Sequence, residues 1–196
     1  MINQMACFLL GILEKHYRIQ SEKREVYLYG MNQLLFTLLS TMCLILIGFF
    51  WNKPMECLVV IAVYYINQTI GGGVHASTHF RCFCITTLFV TSSLALISFP
   101  VPDGVMYSLS ATSAVLLLFF PLTLHQNKRY LENRSKYFIR RSRSFAILEL
   151  ALATVLILIR CESLFYACCA GMIISAISRM LAVFAERFSI SNRTSA

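Results

Sequence analysis

Long blocks of apolar residues, separated by short polar stretches, constrain this chain more than any other feature of its sequence. Of its 196 residues, 58% are hydrophobic and only 13% are charged, with a mean hydropathy of +0.68. A soluble domain of this size carries roughly twice that share of charge. Blocks of this length and composition belong in a bilayer, where every backbone N–H and C=O must be satisfied within the protein, which leaves helices or a closed barrel. Unbroken apolar runs, without a period-2 alternation, favour helices.

Six spans are expected, at about residues 31–50, 55–70, 78–99, 105–124, 144–159 and 164–184. Residues 1–28 read differently. The apolar run Ala6 to Leu13 is too short to cross, and Glu14, Lys15, His16 and Arg18 end it. Ile2, Met5, Leu9 and Leu13 recur at helical spacing, so this stretch is expected to be an amphipathic helix on the membrane surface. Residues 185–196 read as a polar tail. The expected fold is therefore one all-α, polytopic membrane domain: surface segment 1–28, bundle 31–184 and tail.

The net charge of +8 sits in a few loops between apolar blocks, a topology signal rather than a nucleic-acid footprint. One face receives the N-terminal segment, the stretch after the second span, the basic loop 125–143 and the tail. The other receives only Lys53 and Arg160. This places both termini in the cytoplasm, and no nucleic-acid partner is expected.

Chemistry concentrates in residues 71–84, where Gly71, Gly72 and Gly73 are followed by His75, Ser77, Thr78, His79, Arg81, Cys82 and Cys84. Three successive glycines cost about 1 kcal/mol each in a helix interior, so the chain is expected to break there. Most other cysteines, such as Cys43, Cys168 and Cys169, lie in apolar blocks and read as packing. If Ser77 or Thr78 caps the next helix, Cys82 falls in its first turns beside Arg81, where a helix N-terminus and a cation both stabilise a thiolate. Free backbone N–H groups there are also candidates to receive an oxyanion. His75 is a candidate base, but seven residues on a continuous helix span about 10 Å, so it reaches Cys82 only if the backbone turns. His79, three residues before Cys82, shares its helix face and competes; chemistry alone leaves the base open between the two histidines. His75, His79, Cys82 and Cys84 are also four metal donors, but Cys-x-Cys is tighter than zinc sites prefer, and no metal or other cofactor is expected.

Gly72-Gly73-Val74-His75-Ala76-Ser77-Thr78, followed by Arg81-Cys82, resembles the signature of the accessory gene regulator B (AgrB) family. These are bacterial membrane endopeptidases that process a quorum-sensing peptide precursor. The similarity extends to chain length, an amphipathic start, several spans and a basic loop before the last pair. It implies a catalytic pair of His75 and Cys82, an acyl-enzyme thioester, and ring closure when a nucleophile within the peptide displaces the enzyme, giving a thiolactone or lactone. A third group usually orients the base, and Gln33, Asn67 and Gln68 are the nearest polar candidates for that role or for the oxyanion. The family often carries arginine just before the glycines, where this chain has Gln68 and Thr69.

The cationic inner face, with Arg140, Arg141 and Arg143 as substrate-binding candidates, suits a precursor with an acidic C-terminal segment and an amphipathic leader. Gly171 to Ser175 forms a small-xxx-small pattern that serves packing or a homodimer. Glu149 and Arg179, inside the last two blocks, are expected to pair with each other. They also support the rival reading of a non-enzymatic transporter or export factor, which should tolerate loss of the Cys82 thiol.

Overall fold

The structure, a computed structural model, describes residues 2–17, 20, 23–73, 78–119 and 135–194. Among these residues the chain is all helix: α1 (Ile2–His16), α2 (Arg24–Phe50), α3 (Pro54–Gly71), α4 (His79–Ser98), α5 (Asp103–Phe119), α6 (Ser135–Leu158) and α7 (Glu162–Thr194). It divides into two compact units, residues 1–44 and 45–196.

In the first unit, α1 buries Ala6 and Leu10 and leaves Met5, Phe8 and Ile12 exposed. The expected stripe through Met5 is thus not the face it buries. Small Ala6 permits close approach to a neighbour, while the bulkier apolar groups remain outward, free to lie on a bilayer surface. Arg24 and Glu14 form an exposed ion pair at 2.9 Å, and Asn32 donates to Asn3 at 3.1 Å. At that exposure the ion pair contributes about 0–1 kcal/mol.

The second unit is organised around α7, which packs against α3, α4, α5 and α6. Met106 and Leu117 of α5, Ala146 and Ala153 of α6, and Phe165, Cys168, Cys169 and Met172 of α7 form one buried cluster. Cys168 and Cys169 are packing residues, as the apolar context implies. Small residues set the helix separations. A Cβ on Gly171 would lie 2.8 Å from the Val63 Cβ and 3.5 Å from the Val60 Cα, so α3 and α7 touch at near-backbone distance. Ser175, one turn on, is buried and donates to the Gly171 carbonyl at 2.7 Å. The small-xxx-small pattern is therefore occupied by α3 of the same chain, and a homodimer has no basis in it. At the α2–α3 turn, a Cβ on Gly48 would come within 2.6 Å of the Cys57 Cβ. Asn52 closes this turn at φ 53°, a left-handed conformation that asparagine tolerates.

Three helices are long and apolar enough to cross a membrane: Arg24–Phe50, His79–Ser98 and Glu162–Ala185, with Gly104–Phe119 as a shorter apolar helix. The six expected spans are not all of this kind. Glu56, Asn67 and Gln68 dilute α3, and α6 carries Arg140, Arg141, Arg143 and Glu149 within its length. Helix ends also differ from expectation. The α6 helix begins at Ser135, so Arg140, Arg141 and Arg143 lie on helix rather than in a loop; no glycine or proline interrupts 135–143. Likewise α7 continues through Thr194, across most of the expected tail. Polarity marks where an apolar block ends, not where helical hydrogen bonding ends.

The close α3–α7 contact gives a direct test. Gly171→Ala should lower the thermal stability of the detergent-solubilised protein by about 1–3 kcal/mol, because Val63 must shift. Gly11→Ala, with nothing within 4 Å, should leave stability equal or higher. Equal stability of the two variants would mean that Gly171 does not set the helix distance.

Candidate active site

The α3 helix carries Tyr64, Asn67, Gln68 and Gly71 at spacings that place them along one side, facing α4, α6 and α7. Its end is set by Gly72, at φ 74°, a backbone conformation that favours glycine. Gly71 lies directly against the guanidinium of Arg179, and any Cβ there would overlap it. Gly73 is packed in the same way against the side-chain amide of Gln68. Two glycines are thus required by close approach and one by conformation.

Arg179 is 1% exposed. Its Nη1 donates to the Leu117 carbonyl at 2.8 Å and its Nη2 to the Ser142 hydroxyl at 3.2 Å. The neighbouring Leu118 carbonyl accepts from Arg143 Nε at 3.1 Å. Two orphan carbonyls in the last turn of α5 therefore face cations, the favourable charge for a helix C-terminus. Glu149, also buried, accepts from Asn67 Nδ2 at 2.7 Å. Glu149 and Arg179 lie within electrostatic reach but form no direct ion pair; each has its own polar partners, and Glu149 Oε2 and Arg179 Nε have none. The expected pair is replaced by two bridges, α3–α6 through Asn67 and α5–α6–α7 through Arg179. Sequence spacing placed both charges at similar depth but could not show that nearer neutral partners lay between them.

Thr78 caps α4: its Oγ1 accepts from the Arg81 N–H at 3.3 Å, and its carbonyl accepts from the Cys82 N–H at 3.1 Å. Cys82 thus sits in the first turn of α4. It is half-buried and shares its face with buried Thr86 and Val90, whereas Cys84 is exposed. The capping bonds also alter one expectation. The backbone N–H groups of Arg81 and Cys82 are both taken by Thr78 and are not free for an oxyanion.

Beneath Cys82 lies a layer of hydroxyl and amide groups. Gln68 Nε2 donates to the Tyr64 hydroxyl at 2.6 Å and to the Ser178 hydroxyl at 2.7 Å. The Tyr64 hydroxyl also hydrogen-bonds with Ser178 and Thr86 and is within electrostatic reach of Cys82. Tyr64 itself is 2% exposed, its ring set edge-on to Phe89 at 5.9 Å. The Oε1 of Gln68 is buried and has no partner.

His75 lies outside the described residues. His79 is the first residue of α4 and is exposed, as is Arg81. Of the three polar candidates, Asn67 is engaged with Glu149, Gln68 reaches towards α7, and Gln33 is exposed on α2 within the first unit. Arg140, Arg141 and Arg143 are exposed on α6. Arg141 lies over the Phe145 ring at 5.9 Å, and Arg143 holds the end of α5. Tyr64, Thr86, Ser142 and Ser178 escaped the sequence reading. A signal for Tyr64 existed, since it precedes Gln68 by four residues on the same helix face.

A family model described as accessory gene regulator B matches residues 6–181, nearly the whole chain. The chain belongs to the AgrB family. Membership ties it to the processing or export of an autoinducing peptide and, with its three long apolar helices, makes it a membrane protein of quorum sensing. No curated protein and no solved structure matches the chain.

The Asn67–Glu149 bridge is testable by a double-mutant cycle on unfolding in mixed micelles. Coupling between Asn67→Ala and Glu149→Ala should be about 0.5–3 kcal/mol, the range spanned by hydrogen bonds to neutral and charged groups. Additive effects would show that the two side chains do not touch.

Proposed function

We propose that this AgrB protein is a cysteine endopeptidase that cleaves the C-terminal part of a quorum-sensing peptide precursor at the cytoplasmic membrane face. The observation that carries the reading is the placement of Cys82: in the capped first turn of α4, partly accessible, and on the face that meets a buried layer of polar groups. A buried packing thiol such as Cys168 has neither the access nor that polar layer.

In this mechanism His75 takes the Cys82 proton, and the sulfur attacks the scissile carbonyl. The tetrahedral intermediate collapses to a thioester as the amine leaves with a proton from the histidine. A nucleophile within the retained peptide, typically a cysteine, then attacks the thioester and closes the ring. Thiol-to-thioester exchange nearly conserves bond energy, so cyclisation outpaces hydrolysis where water is kept out. Gln68 is the orienting candidate best supported, because its buried amide oxygen lacks a partner and its amide packs against Gly73, two residues before His75. Exposed Arg140 and Arg141 suit an acidic peptide end, whereas Arg143 is partly engaged by α5.

A multi-pass topology with six spans and cytoplasmic termini fits this reading. Both α3 and α6 pack on α7, whose apolar stretch is mostly buried within the protein, so they occupy the same depth as a spanning helix. Labelling of introduced cysteines from outside intact cells should reach positions 53 and 160 but not 140. Outside labelling at 140 would reverse the orientation.

Catalysis is tested on a tagged candidate precursor with an amphipathic leader and an acidic C-terminal segment. Cys82→Ser and His75→Ala should abolish cleavage, Cys84→Ser should retain most of it, and His79→Ala should cost much less than His75→Ala. Full cleavage by Cys82→Ser would leave the transporter reading, in which the protein exports a peptide cut elsewhere.

A further inference from the structure

An acyl transfer at Cys82 needs a donor for the oxygen that becomes negative, and two backbone N–H groups of this turn are already engaged. In many acyl-transfer sites the nucleophile's own N–H helps to fill that role. Here the N–H of Cys82 is bonded to the Thr78 carbonyl at 3.1 Å, and that of Arg81 to the Thr78 hydroxyl. A side chain that meets the inner face of α4 from a neighbouring helix is then the candidate donor.

We propose that the Tyr64 hydroxyl is the oxyanion donor for acyl transfer at Cys82. Several observations converge on it. Thr86, one helical turn after Cys82 on the same face, hydrogen-bonds with this hydroxyl, and Cys82 lies within its electrostatic reach. Gln68 donates to the phenol oxygen at 2.6 Å and so fills one of its acceptor sites, leaving the phenol's own proton directed away from Gln68. The ring is fixed edge-on against Phe89 and is 2% exposed, so the donor is preorganised in a site with little water. The proposal rests on the reading of Cys82 as nucleophile and adds a catalytic group on another helix.

The step balances without proton transfer from tyrosine. The sulfur–carbon bond forms as the carbonyl π pair moves onto oxygen. The Tyr64 O–H exchanges a neutral hydroxyl partner for that oxyanion, a charge-assisted hydrogen bond. When the C=O re-forms and the leaving group departs, the phenol still holds its proton.

Two small reagents separate this role from a structural one. p-Nitrophenyl acetate acetylates a thiol through a tetrahedral oxyanion. Iodoacetamide alkylates the same thiol at a saturated carbon, with no oxyanion. Both rates are read at Cys82 by peptide mass spectrometry on the full chain in lipid nanodiscs. Tyr64→Phe should slow acetylation about 10²-fold, the usual loss for one oxyanion donor, while alkylation stays within twofold. Acetylation slowed less than tenfold, or both reactions slowed together, overturns the proposal. If Tyr64→Phe does not fold, 3-fluorotyrosine at position 64, a stronger donor, should accelerate acetylation at least twofold and leave alkylation unchanged; unchanged acetylation is then the overturning result. The wild-type protein supplies the control on the underlying reading. Cys82 acetylated no faster than exposed Cys84 would remove Cys82 as nucleophile and this inference with it, whereas fast Cys82 acetylation that is indifferent to Tyr64 defeats only the inference.

Discussion

Everything in the larger unit depends on how closely α3 and α7 approach. Lipid tails are as apolar as leucine, so burial from water does not draw membrane helices together; close packing and polar contacts do. Gly171 lets the Val60 and Val63 side of α3 settle onto α7 at nearly backbone distance. About two turns on along α7, the same approach sets Gly71 against Arg179 and Gln68 within reach of Ser178. The dry contact and the polar layer are thus two ends of one seam. A wider seam would separate the amide and hydroxyl partners and leave polar groups facing hydrocarbon, at several kcal/mol each.

The seam also bears on the position of the proposed nucleophile, at a helix start and not along a span. Thr78 begins α4 and holds two of its N–H groups, which fixes Cys82 on the inner side of the first turn. The same helix turns Cys84 outward. Arg179 and Arg143 hold adjacent carbonyls at the end of α5, so the last turn of one helix and the first turn of another are both set by named polar bonds. Such bonds are stronger in a low-dielectric interior than in water, and costly to leave incomplete.

Much of this was legible in the sequence, for identifiable reasons. Apolar block length gave the helices, and glycine and proline gave their breaks after Phe50, Gly71 and Ser98. The 100° step of a helix separated Cys82 from Cys84. Tertiary partners were not legible. Glu149 and Arg179 have opposite charge and similar depth, yet Asn67, Ser142 and the Leu117 carbonyl lie nearer to them than they do to each other. Gly171 and Ser175 carry a dimer-like pattern, but the pattern does not say whose helix fills it. Composition did not reveal that α6 begins before its arginines or that α7 runs past its apolar stretch, because a solvated polar helix and a polar loop share the same residues. Tyr64 read as one aromatic among many until its hydroxyl partners were known.

The buried guanidinium on α7 has a consequence for biogenesis. An arginine in a lone apolar helix raises the cost of insertion, by about 2.5–3.5 kcal/mol at the centre and by less towards the end where Arg179 lies. Its acceptors here, the Leu117 carbonyl and the Ser142 hydroxyl, belong to helices made earlier by the ribosome. The α7 helix, made after α5 and α6, therefore enters a bilayer in which its polar sockets already exist, and Arg179 need never face lipid unaccompanied. Before α7 arrives, the groove over Val60 and Val63, the Gln68 amide and the end of α5 all stand open. Docking of α7 is thus one step that both fills the groove and closes the polar layer.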